Sequence, residues 1–311
     1  MKIVFLDRST IGEDIDLSSF YALGEVVEYG FTSVDEASAR VTDADILVIN
    51  KVPINETTIG NAKNLKLVCV TATGTNNLDK DYLDKRGIAW RNVAGYSTES
   101  VAQHTFAMLF YLLEKLNYYD NYVKSGKYIN DTLFTHFDQK FNQVSGMTWG
   151  IIGLGAIGRK VADIAKAFGA KVIYYSASDS PKQEGYTKVD FDTLLSTSDI
   201  ISIHAPLNNY TEGLINKAAF SKMKPSTILI NVGRGPIIVE EDLKEALNNN
   251  IIAAAGLDVL AIEPMSDSTP LLQVKDKSKL LITPHIGWAS IEARTNLMNI
   301  IVSQIKEFFS L

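Results

Sequence analysis

The stretch WGIIGLGAIGRKVADIAKAFGAKVIYYS, Trp149 to Ser176, sets how the rest of the chain is read. A short apolar run, Trp149-Gly150-Ile151-Ile152, leads into Gly153, Gly155 and Gly158 at the spacing G-x-G-x-x-G. A helical pattern follows from Ile157 to Phe168, with Val161, Ile164 and Ala165 spaced to face a sheet. Gly169 ends it, and Lys171 to Tyr175 is a second apolar run. Strand, glycine turn, helix and strand in this order form the βαβ unit that holds a dinucleotide. The glycines let the backbone turn tightly and approach a pyrophosphate, and the helix N-terminus offers N–H groups to the anion. Three glycines alone would be a weak signal; the strand before them and the helix after them carry the reading.

Upstream, apolar runs at Lys2–Asp7, Glu25–Tyr29, Ala44–Asn50, Leu65–Thr71 and Ile88–Val93 read as strands, with helical patterns between them, notably Val34–Val41 and Thr57–Ala62. Such alternation predicts a parallel sheet covered on both faces. Downstream, Ile200–His204, Thr227–Val232, Ala253–Val259 and Leu280–Thr283 repeat the strand signal, with Glu240–Asn248 helical. The expected fold class is α/β, with two doubly wound parallel-sheet domains and a cleft between them. One domain comprises residues 1–97 plus 286–311, because the helical stretch Ser290–Phe309 lies outside the nucleotide sheet; the dinucleotide-binding domain is 98–285. From Val101 to Leu113 a helix is apolar nearly all round and should be buried. Residues 126–147, with Tyr128, Phe134, Phe137 and Phe141, read as an excursion toward a partner subunit.

The 311 residues, 46% hydrophobic and 21% charged, are enough for two domains with full cores. A net charge of -6 argues against nucleic acid and anionic membranes as partners. The longest apolar run in a helical stretch, Phe106–Leu113, is well short of a membrane span. MKIVFLD reaches Asp7 after four apolar residues and reads as a first strand, not a signal peptide. The single cysteine, Cys69, lies in an apolar run and reads as a small buried hydrophobe. Together these point to a cytoplasmic protein without a metal site.

Polar groups just after strands are the candidates for chemistry. Arg234, inside Asn231-Val232-Gly233-Arg234-Gly235-Pro236, either pairs with a surface acid as a structural arginine or uses its planar guanidinium to hold a substrate carboxylate at two points. Asp258 ends a strand, Glu263 follows before Pro264, and His285 follows Thr283-Pro284. Of the four histidines, at 104, 136, 204 and 285, His285 has the best placement for a proton donor. A glutamate beside it would hold the ring and favour its charged form, which is what protonation of a carbonyl oxygen requires. His104 reads as a satisfied core histidine, His136 lies in the irregular stretch, and His204 ends a strand where it could touch a cofactor.

In order, Gly153-Leu154-Gly155-Ala156-Ile157-Gly158, Asn231-Val232-Gly233-Arg234-Gly235, Gly256-Leu257-Asp258-Val259 with Glu263-Pro264, and Thr283-Pro284-His285-Ile286-Gly287 resemble the D-isomer-specific 2-hydroxyacid dehydrogenase family over essentially the whole chain. The resemblance implies a flavodoxin-like substrate domain, a Rossmann coenzyme domain and commonly a homodimer. It assigns catalysis to Arg234, Glu263 and His285. It places the cofactor on Gly153, Gly155, Ala156, Ile157, Gly158, Ser176, His204, Pro206, Val232, Gly233 and Asp258. The substrate falls on the backbone of Thr73 and Gly74 and on Tyr96; Lys51 is a further candidate, for steering an acid anion, or is a solvated loop lysine. Within the family, Asn50-Lys51-Val52, Ala72 to Asn77, Val101 to Phe106 and Trp288 are most similar to the glycerate dehydrogenase (hydroxypyruvate reductase) branch.

One position departs from the family. Ser176 stands where an acid would bind the adenosine ribose hydroxyls and repel a 2′-phosphate. Asp179 opposes a phosphate, and Lys182 is the first cation that follows. The reading is NAD, with NADP left open. The expected reaction is hydride transfer between NAD(H) and a small 2-oxo or D-2-hydroxy acid, with hydroxypyruvate and glyoxylate favoured. D-lactate or a bulkier 2-oxo acid is the alternative substrate. A nicotinamide-sensing corepressor is the alternative from another class; such proteins carry long tails, and the chain ending at Leu311 is read for the enzyme. Formate dehydrogenases pair their histidine with glutamine, whereas this chain has Glu263.

Overall fold

In the computed structural model the described residues are 1–177 and 184–311. Asp179 and Lys182 lie outside them. The chain divides into two compact units, Met1–Ser97 with Trp288–Leu311, and Thr98–Gly287.

The first unit holds a five-stranded sheet ordered β2-β1-β3-β4-β5, with β1 Lys2–Phe5, β2 Glu25–Glu28, β3 Ile46–Ile49, β4 Leu67–Val70 and β5 Ala89–Arg91. Every pairing is parallel. The central strands ILVI and LVCV are buried throughout, as a sheet covered on both faces requires. Alternate residues feed opposite layers. Val4, Leu47 and Ile49 join one cluster, whereas Ile3, Phe5, Ile46 and Val48 join another with Leu297, Met298, Ile301 and Ile305. The helix Ile291–Phe309 therefore belongs to this unit and shares one layer of its core with Ile11, Ile15, Leu17 and Phe20. The edge strand β2 carries Glu25 and Glu28, charges that discourage further pairing. The helix expected over 57–62 is shorter, Glu56–Ile59, because Asn55 caps it and Gly60 ends it.

The second unit holds a seven-stranded parallel sheet. Its strands are β6 Thr148–Ile152, β7 Lys171–Tyr175, β8 Thr187–Lys188, β9 Ile200–Ile203, β10 Ile228–Asn231, β11 Ala254–Leu257 and β12 Leu280–Ile282. The order is β12-β11-β10-β9-β6-β7-β8. Trp149 and Ile151 face the layer containing the helices Thr98–Leu113 and Ala156–Ala167; Ile152 faces the layer of Leu194, Phe220 and Leu243. The order in which the chain adds strands to the sheet reverses between β6 and β9, and in open α/β sheets ligands bind beyond the carboxyl ends of strands at that switch point. β8 has two residues and no apolar run, so sequence periodicity gave no sign of it.

Candidate active site

Read across the second sheet, every strand from β12 to β7 ends on a candidate residue. The series runs His285 after β12, Asp258 after β11, Val232-Gly233-Arg234 after β10, His204 and Pro206 after β9, the glycine turn after β6 and Ser176 after β7. Residues far apart in sequence thus share one edge of one sheet.

The glycines have three distinct duties. Gly153 stands at φ +91°, and a Cβ there would lie 2.7 Å from the Ala205 backbone. The turn after β6 is therefore packed directly on the segment that carries His204 and Pro206. A Cβ on Gly158 would lie 2.2 Å from the Gly153 carbonyl oxygen, so the helix can start this close to the turn only with glycine. Gly155 is exposed, and a Cβ there would meet nothing within 4 Å. It adjoins the N-terminus of the helix Ala156–Ala167, where Ala156 and Ile157 begin the first turn. Open space beside N–H groups at a helix N-terminus suits a pyrophosphate.

Around His204 the proton positions follow from chemistry. The Trp149 Nε1–H donates to Ser202 Oγ at 2.9 Å, and Ser202 Oγ lies 2.9 Å from His204 Nε2. Ser202, having accepted, is suited to donate to Nε2, which leaves the imidazole proton on Nδ1. That Nδ1 is buried, without a partner among the described residues. Burial pushes the imidazole down to about 3, so the ring is neutral.

The turn after β10 is fixed by its own asparagine. Asn231, fully buried, accepts the Gly233 N–H at 3.0 Å and donates to the Arg234 carbonyl at 2.9 Å. Arg234 is half-buried, and its Nη1 donates to the Gly233 carbonyl at 2.8 Å. A Cβ on Gly235 would stand 1.9 Å from the Leu260 carbonyl group. The Arg234 turn and the loop bearing Glu263 are therefore in backbone contact. Glu240 secures that loop from below, accepting the Ala261 N–H at 2.8 Å and the Thr269 hydroxyl at 3.1 Å.

Glu263 uses its two oxygens separately. Oε1 accepts the Leu260 N–H at 2.9 Å, and Oε2 meets His285 Nδ1 at 2.7 Å. Both side chains are about one-third exposed or less, 32% and 27%. With Nδ1 turned to the glutamate, Nε2 is the ring atom left to exchange a proton elsewhere. His285 has φ +56°, a left-handed conformation that costs a non-glycine residue roughly 1–2 kcal/mol. Asp258 accepts the N–H groups of Ile286 and Gly287, both at 2.8 Å, and the Thr283 hydroxyl at 2.7 Å. Burial works to raise the Asp258 carboxyl, but His104, Thr283 and the two N–H groups outweigh it and hold the group below its usual range.

The remaining candidates lie in the first unit. Lys51 is exposed, on a turn fixed by the buried Asp7, which accepts the N–H groups of Asn50 (2.8 Å), Lys51 (2.6 Å) and Val52 (3.2 Å). Burial pushes the Asp7 carboxyl up, against the pull of those three donors. Thr73 is tied by its hydroxyl to the Val93 carbonyl and by its own carbonyl to Asn92; Gly74 follows it. Tyr96 packs edge-on against Trp288, with ring centroids 6.3 Å apart. The supporting roles of Asp7, Asn231, Glu240 and Thr283 escaped sequence reading; a polar residue closing an apolar strand, as in Ile228–Asn231, was the available signal. Among the described residues no cluster of His, Cys, Asp or Glu could hold a metal ion, and no helix is long and apolar enough to cross a membrane.

Residues 106–287 match the family model described as D-isomer specific 2-hydroxyacid dehydrogenase, NAD binding domain. The chain is 40% identical to a hydroxypyruvate reductase of Blautia hydrogenotrophica, over 99% of this chain and 97% of that one. It is 37% identical to a glycerate dehydrogenase of Methylorubrum extorquens, over 99% and 96%. Among solved structures it is similar to an acyclic imino acid reductase in complex with NADPH and D-Arg (TM-score 0.87, 30% identity, 100% and 97% covered). It is also similar to the Aquifex aeolicus D-lactate dehydrogenase complexed with NAD and lactic acid (TM-score 0.84, 27% identity, 99% and 95% covered).

Proposed function

The chain belongs to the D-isomer specific 2-hydroxyacid dehydrogenase family, and from that premise we propose that it interconverts D-glycerate and hydroxypyruvate, with glyoxylate as a second substrate. It is an oxidoreductase of the NAD(P)-dependent D-2-hydroxyacid class. When bound, the nicotinamide supplies or takes up the hydride. Gly155, with open space where a side chain would stand, and the N–H groups of Ala156 and Ile157 fit its pyrophosphate.

The protein's own part is electrostatic and protonic. His285 donates its Nε2 proton to the substrate carbonyl oxygen during reduction and recovers it, as neutral imidazole, during oxidation. Glu263 holds the ring through Nδ1 and balances the imidazolium charge. Arg234 grips the substrate carboxylate and polarises the carbonyl. The roles proposed in the first unit are substrate contacts, by backbone N–H groups of the Thr73-Gly74 turn, the Lys51 ammonium and Tyr96, which makes that unit, 1–97 with 288–311, the substrate domain. The 2.7 Å pair of His285 and Glu263, in one row of strand ends with Arg234, is the observation that carries these roles.

Hydroxypyruvate is favoured over pyruvate because the relatives covering almost the whole chain at 40% and 37% identity are a hydroxypyruvate reductase and a glycerate dehydrogenase. We also propose a homodimer in the cytoplasm. The support is an exposed apolar row in residues 129–137, where Ile129 is 83%, Leu133 67%, Phe134 88% and Phe137 75% exposed. The deciding experiment is a panel of 2-oxo acids assayed with NADH and NADPH separately, on wild type and His285→Ala. Turnover is expected highest with hydroxypyruvate and nearly abolished in the variant, with NADH binding retained. A higher kcat/KM for pyruvate would overturn the substrate; an active variant would overturn the acid.

A further inference from the structure

The loop that carries His285 is held by a helix that takes no part in the roles assigned so far. The strained His285 backbone sits between two anchors: its own N–H donates to the Thr283 carbonyl at 2.9 Å, and the next two N–H groups donate to Asp258. Asp258 is 3% exposed. Thr283 gives its hydroxyl proton to Asp258 Oδ1, so it can only accept from His104 Nε2, which lies 3.0 Å away. The same Nε2 is 3.3 Å from Asp258 Oδ1. Proton direction is thereby fixed: His104 Nε2–H to the Thr283 hydroxyl, and that hydroxyl to Asp258.

One turn earlier on the same helix, Thr98–Leu113, the Ser100 hydroxyl donates to the Gly287 carbonyl at 2.7 Å. Positions four apart share a helix face, so Ser100 and His104 address the His285 loop together. The fit leaves no slack. A Cβ on Gly287 would stand 2.8 Å from Asp258 Oδ2 and 3.3 Å from His104 Cδ2. A histidine that merely filled the core would gain nothing from this polar chain, because buried polar groups cost free energy unless each is paired.

We propose that His104 is a positioning residue for proton transfer: through Thr283 and Asp258 it fixes the backbone of Ile286 and Gly287 and so holds the His285 ring on Glu263. The proposal rests on the reading of His285 as the acid. It is tested with His104→Leu, His104→Gln, Thr283→Val and, alongside, His285→Ala. Each variant is assayed for hydroxypyruvate reduction with NADH, for NADH affinity by fluorescence titration, and for thermal unfolding.

Glutamine can bring an amide N–H to about where Nε2 stands. His104→Leu should lower kcat about tenfold or more, below the ceiling of roughly 10²–10⁴ that a positioned general acid supplies. NADH affinity should stay near wild type, and His104→Gln should recover most of the rate. Thr283→Val, which exchanges a hydroxyl for a methyl, should behave as His104→Leu does, and it decides the matter alone if the leucine variant does not fold. Wild-type kcat in His104→Leu or Thr283→Val while His285→Ala is inactive would overturn the role of His104 and leave His285 as the acid. A loss of rate that His104→Gln does not restore would overturn it too. An active His285→Ala would instead sink the reading on which the proposal stands.

Discussion

Ser176 and His204 show what single side chains contribute at the coenzyme edge of the sheet. Ser176, directly after β7, lacks the charge that would repel a 2′-phosphate. Replacing it with aspartate should raise the NADH over NADPH ratio of kcat/KM by about tenfold, or ~1.4 kcal/mol. An unchanged ratio would place discrimination on another group. His204 makes a pH prediction. Burial lowers its folded value to about 3, while the unfolded chain titrates near the ordinary value of about 6.5. As pH falls between these values, only the unfolded chain takes the proton, so stability declines with falling pH by at most about 1.4 kcal/mol per unit. His204→Asn should remove that slope. Urea unfolding of wild type and variant at pH 6.5, 5.5 and 4.5, values chosen to span roughly this window, measures the difference directly. Parallel declines would mean that the ring is not buried neutral.

At the scale of elements, the glycine positions separate packing from ligand contact. Gly235 fits against the Leu260 carbonyl group with no space for a Cβ, so the Arg234 turn and the Glu263 loop are packed backbone to backbone. Gly235→Ala should cost roughly 1–3 kcal/mol as an overpacked contact, visible as a lower unfolding midpoint, and should lower kcat by displacing both loops. Gly155 is the opposite case, with open space around its Cβ position and φ −76°. Gly155→Ala should leave the unfolding midpoint in place while weakening NADH binding in a fluorescence titration. Equal effects on stability from the two substitutions would contradict this division.

On the scale of the whole molecule, the exposed apolar residues of 116–141 stand out. The helix Leu116–Lys124 has no buried residue, and Tyr122 stacks on His136 at 3.8 Å, so the segment is ordered by its own aromatic contacts. A surface of this kind marks an interaction site, and the proposed dimer would cover it with a second copy. Phe134→Ser combined with Phe137→Ser should shift the protein from dimer to monomer in light scattering. A wild-type monomer would refute the dimer itself.

Much of this molecule is legible in its sequence. Apolar runs placed eleven of the twelve strands found among the described residues, the central ones because a strand covered on both faces must be apolar along its length. The glycine spacing identified the nucleotide turn, since only glycine tolerates φ +91° at Gly153 and the close approach at Gly158. Those are local constraints, and local constraints leave marks at fixed offsets. Partnership across the fold leaves no such mark. That Glu263 meets His285, that Asn231 ties the Arg234 turn, and that His104 reaches the His285 loop through Thr283 all follow from the order in which seven parallel strands lie side by side. His104 looked like core because its helix is apolar nearly all round; a helix face becomes polar in function only when a strand end from elsewhere in the chain is laid against it.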